Sequence, residues 1–96
     1  MSPINTKKLN LLRNKLDKLD NELLKLIKKR SNLVNEVLKV KIHKKEIIDQ
    51  KRIDFILKKI KKKSILLNVD PKITNRIWKN MIWSFIDYEK RNFKNK

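Results

Sequence analysis

Two cations and a carboxyl group stand at positions where amphipathic helices would carry apolar side chains. Along the N-terminal segment apolar residues recur at 9, 12, 16, 19, 23 and 26, then at 33, 37 and 40, and the place left between 26 and 33 is filled by Arg30. An arginine there either sets register in a coiled coil or lays its aliphatic stem along the apolar surface. Lys41 opens a further reading. It lies 11 residues on, three helical turns away, about 20° round the axis and about 16 Å along it, so both cations face one trough that suits a small anion. Near the C-terminus the spacing Trp78, Ile82, Phe85 continues to Glu89, a carboxyl group on an apolar stripe whose simpler role is an ion pair with a neighbouring Lys. Arg52, by itself, reads as a solvated cation or the partner of a nearby Asp. Arg13 precedes Arg30 by 17 residues, roughly 100° round the helix, so it cannot serve the same pocket from one straight helix but can serve that of a partner chain.

The composition narrows what such a cluster can do. There is no Cys and one His, His43, which removes disulfides, thiolate nucleophiles, cysteine-ligated zinc and a Ser-His-Asp triad. Gly is absent, so no Gly-rich phosphate loop exists, and no apolar run reaches the length of a membrane span. No metal and no cofactor is expected. The segment Met1-Ser2-Pro3-Ile4-Asn5 lacks the apolar stretch of a signal peptide, so a cytoplasmic location is expected. The net charge of +17 resembles the footprint of a nucleic-acid binder. Yet 22 of the 27 basic residues are Lys, spread along a chain rich in Asn and Ile and devoid of Ala, which is what AT-rich coding produces whatever the function. The longest Lys run, Lys61-Lys62-Lys63, sits at an expected helix end, where the helix dipole favours it.

These residues need elements to hold them. The apolar spacing predicts one amphipathic helix over residues 7–43, roughly 55 Å long. A compact domain of this size has a radius of gyration of only about 13 Å, so such a helix must lie along another chain. Asp49 is the expected N-cap of a second helix carrying Ile53, Ile56, Leu57 and Ile60 and fraying over 61–64. Asp70-Pro71 marks the start of a third, with Ile73, Ile77, Trp78, Met81, Ile82, Phe85 and Ile86 on its buried side. No segment alternates with strand period. The expectation is a single all-α domain over 1–96 with three helices; with 40% apolar against 39% charged residues, its core is thin enough to need a partner's surface.

Leu12-Arg13, Leu16-Asp17-Lys18-Leu19-Asp20, Leu23-Leu24-Lys25-Leu26-Ile27, Arg30, Leu33-Val34, Val37, Lys41 and Asp49-Gln50-Lys51-Arg52 together resemble the AroQ-class chorismate mutases. The run Ile77-Trp78, Met81-Ile82, Ile86-Asp87-Tyr88-Glu89 is similar to that family's closing helix. The resemblance implies an intertwined homodimer of three-helix subunits, with Arg30, Lys41, Arg52 and Glu89 from one subunit and Arg13 from the other. It implies a pericyclic rearrangement of chorismate to prephenate on the route to phenylalanine and tyrosine, without cofactor or metal. Arginine forks hold the substrate carboxylates bidentately. Lys41 would donate to the ether oxygen, and Glu89, where the family carries Gln or Glu, would do so as a protonated acid; activity is then expected to fall as pH rises.

In one place the chain departs from the pattern. Many members have Glu directly after the arginine matched by Arg52, where it accepts a hydrogen bond from the ring hydroxyl; this chain has Ile53. Asp49 can take that role instead. The related isochorismate pyruvate-lyases share the fold and also tend to lack that Glu, which makes lyase the alternative activity. A basic helical dimer that binds nucleic acid through its Lys faces, and a structural coiled coil, are alternatives of a different class. The enzyme reading implies no specific nucleic acid and no membrane partner.

Overall fold

The computed structural model describes residues 3–94, and these form helices and turns without a strand. The elements are α1 (Pro3–Val40), a 3₁₀ turn (Lys44–Ile47), α2 (Gln50–Leu66) and α3 (Pro71–Asn92). Three helices in an all-α fold are therefore as the apolar spacing implied.

The chain divides into two compact units, Met1–Leu33 and Val34–Lys96. In the first, α1 carries Leu12, Leu16, Leu19, Leu23 and Leu26 in the 3-4 spacing of a seam, and every one is more than half exposed. The second unit has a small core of Ile47, Ile53, Ile82 and Ile86, with Leu38, Ile56, Leu57 and Phe93 packed against it. The inward face of α3 reads Ile82, Ile86, Glu89, steps of four and three that keep these residues in line. Ile73 and Ile77, expected on that face, are instead exposed, since the core meets only the later turns of α3.

The ends of the helices follow from a few polar contacts. α1 ends at Val40 rather than at 43: the amide of Lys41 still reaches the Leu38 carbonyl at 3.3 Å, but the Glu46 carboxylate accepts the next amide, Ile42, and His43 is extended. Asp49 caps α2 through Oδ1 and the Arg52 amide at 3.0 Å. Asp70 caps α3 through the Lys72 amide at 2.9 Å, with Pro71 in the first helical turn. The fraying expected over 61–64 does not occur. Ser64 is buried, its Oγ donates to the Ile60 carbonyl at 2.6 Å, and it shares a 2.7 Å hydrogen bond with Thr74 Oγ1 of α3. α2 continues to Leu66 and closes with the Val69 amide on the Ser64 carbonyl and the Asn68 amide on the Ile65 carbonyl. That double closure is a Schellman motif, and Asn68 supplies its left-handed residue at φ 56°.

Candidate active site

Glu89 is the buried charged side chain of the second unit, 6% exposed on the inward face of α3 beside Ile82 and Ile86. Its partner is Lys41, whose Nζ donates to Glu89 Oε1 at 3.1 Å. Neither residue has much water: the side chains are 17% and 7% exposed for Lys41 and Glu89. Desolvating two charges offsets most of the attraction between them, so a buried pair of this kind adds little net stability. Breaking it by removing one partner is another matter, at about 3–5 kcal/mol. The pair holds a primary ammonium and a carboxyl group at one spot in an otherwise aliphatic setting, and the local dielectric strengthens any hydrogen bond either makes there.

Lys41 lies one residue beyond α1, at the start of the turn after Val40, with its amide still on the Leu38 carbonyl and its ammonium on Glu89. That turn bends the chain into a cavity of about 460 Å³ lined by Lys41, Glu46, Ile48, Asp49, Gln50 and Lys51. Asp49 thus shares a cavity with Lys41 while its Oδ1 is engaged by the Arg52 amide. Arg52 is exposed in the first turn of α2, its guanidinium 5.5 Å from the ring centre of Phe55, a cation–π distance. Ile53 is 6% exposed and belongs to the core.

Arg13 and Arg30 both lie on α1 within the first unit. Arg13 is exposed, like most of the N-terminal part of α1. Arg30 is half-buried with its Nε out of solvent, unlike the exposed leucines on either side of it along the seam.

Two groups near the pair escaped the reading of the sequence. Glu46 looks like one more surface charge, yet it lines the Lys41 cavity and restrains the Ile42 amide beside Lys41. Tyr88 donates its hydroxyl to Asn35 Oδ1 at 2.7 Å, joining the residue before Glu89 to the last turns of α1. The adjacency of Tyr88 to Glu89 was a signal, but nothing in the spacing picked Asn35 from the chain's other Asn residues.

Among the described residues no group of three or more His, Cys, Asp or Glu is placed to hold a metal ion, and no helix is long and apolar enough to cross a membrane. The arrangement offers hydrogen-bond donors and fixed charge, with no nucleophile set against a base. No curated protein and no solved structure gives a significant match. A family does: residues 12–90 match chorismate mutase type II, a span that takes in Arg13, Arg30, Lys41, Asp49, Arg52 and Glu89. With more than three quarters of its length inside that match, the chain belongs to the type II chorismate mutase family.

Proposed function

We propose that this protein is a chorismate mutase that converts chorismate to prephenate, and that it works as a homodimer. The observation that carries the reading is the 3.1 Å contact of Lys41 with a buried Glu89 inside the family-matched span. The reaction breaks the ether C–O bond and forms a C–C bond within one molecule, so no atom leaves and no co-reactant enters. Negative charge grows on the ether oxygen as the bond opens. Lys41 donates a hydrogen bond to that oxygen, and Glu89 donates a second when protonated. Donors fixed in place before the charge develops typically lower a barrier by about 3–4 kcal/mol each, or 10²- to 10³-fold in rate. Arg30 and Arg52, with Arg13 of the partner subunit, hold the two carboxylates and keep the substrate in its compact reactive conformer.

The dimer is supported by the leucine seam of α1. Fully covering one fully exposed leucine stabilises by about 1.5–3 kcal/mol; these five are a little over half exposed, so covering what remains open is worth roughly 4–9 kcal/mol, within the range of a whole domain's stability. A second copy offers the same seam in return.

Isochorismate pyruvate-lyase is the second reading, favoured by one observation: Ile53 is packed into the core and offers no acceptor for a ring hydroxyl. Asp49, in the Lys41 cavity, is the acceptor under the mutase reading. Incubating the protein separately with chorismate and isochorismate and identifying the products by chromatography tests both. Prephenate from chorismate is expected. Salicylate and pyruvate formed preferentially from isochorismate would replace mutase with lyase, and turnover of neither would remove both.

A further inference from the structure

Glu89 and Tyr88 are adjacent on α3, and each reaches the C-terminal end of α1. Glu89 meets Lys41, one residue past the helix, and Tyr88 meets Asn35, within it. The two attachment points are six residues apart, about 9 Å at helical rise. An ion pair alone is a poor locator, because its energy varies slowly with angle and distance, so beyond the packing of Ile82 and Ile86 the Lys41–Glu89 contact by itself sets the fine position of the last turns of α3 only loosely. A short O–H···O bond falls off steeply with misalignment. A tyrosine ring carries it with little side-chain freedom to lose, and the Tyr88 carbonyl is itself held by Asn92 Nδ2 at 2.8 Å. If filling space were its whole role, phenylalanine would serve as well. The bond lines an open groove of about 430 Å³ with Leu38, Lys39, Asn92 and Lys94, so water can satisfy Asn35 when the hydroxyl is removed, and the fold survives that removal.

We propose that Tyr88 is a positioning residue: its hydrogen bond to Asn35 fixes the register of α3 against the end of α1 and so sets where the Glu89 carboxyl group stands relative to Lys41. The proposal rests on the mutase reading for its kinetic consequence, though not for its structural one.

The test uses Tyr88→Phe in the full chain, with two readouts. The first needs no substrate: the ammonium NMR signal of Lys41, slowed in exchange by its pairing with Glu89, is compared in wild type and variant. It is expected to shift and broaden in Tyr88→Phe and in Asn35→Leu, and to stay sharp in Asn35→Asp, which keeps the acceptor. An unchanged signal in Tyr88→Phe overturns the proposal, whatever the protein's activity. The second readout is kcat on chorismate, expected to fall roughly ten- to a hundredfold, the scale of a displacement of an ångström or less, with KM nearly unchanged because the arginines hold the carboxylates. In a Glu89→Ala background the same substitution is expected to have no further effect on kcat. An equal loss in that background would make Tyr88 merely structural. A wild type that turns over no chorismate removes the mutase reading, and the NMR comparison then decides the positioning role by itself.

Discussion

Glu89 accepts a hydrogen bond from Lys41 in the free protein, whereas the proposed chemistry needs it to donate one to the substrate. Donation requires the protonated acid. Glutamine donates an N–H without needing that proton. Glu89→Gln should therefore turn over chorismate at least as fast as wild type, and Glu89→Ala far more slowly, which kcat of the three proteins under one condition checks. A Glu89→Gln rate as low as that of Glu89→Ala would remove the donor role. At this scale the individual groups were legible in the sequence because each breaks an apolar spacing: Arg30 on the seam, Glu89 on the α3 stripe. Their contacts were not. Lys41 meets Glu89 across 48 residues, and Tyr88 meets Asn35 across 53, through a chain reversal that no local periodicity encodes.

Helix starts were the easiest elements to read, since a cap is a local contact between an aspartate and an amide two or three residues on, as at Asp49 and Asp70. Helix ends were harder. Ser64 after three lysines reads as a fraying terminus, but the Ser64–Thr74 bond makes it a joint between α2 and α3, which depends on a partner ten residues away. Ser64→Ala removes that bond and leaves Thr74 Oγ1 with the Pro71 carbonyl at 3.4 Å as its acceptor. It should destabilise the protein by about 0.5–1.5 kcal/mol, measured by urea denaturation, with little effect on KM because the joint is remote from Lys41 in sequence. A loss below a few tenths of a kcal/mol would mean water replaces the serine. The end of α1 was misplaced by three residues for a similar reason: the Glu46 carboxylate takes an amide that an uninterrupted helix would have used.

For the whole molecule, the sequence reads as a helix too long and too apolar on one face for so small a core, and Leu12, Leu16, Leu19, Leu23 and Leu26 are each more than half exposed, the face that the proposed second copy would cover. What composition obscured is the role of the charge. A chain with 27 basic residues hides the handful that the family pattern singles out, and only their places relative to the apolar spacing separate them from the rest. The central claim is that a complete site joins Arg13 of one subunit to Lys41 and Glu89 of the other. Complementation tests this most directly. Arg13→Ala and Lys41→Ala are purified separately, shown to be inactive on chorismate, mixed, unfolded together and refolded. Half of the resulting dimers are mixed by random pairing, and each regains one intact site while its second site carries both lesions. Prephenate formation is therefore expected to return to about a quarter of the wild-type rate per chain. Two folded, dimeric and inactive variants that regain nothing when refolded together would contradict the account.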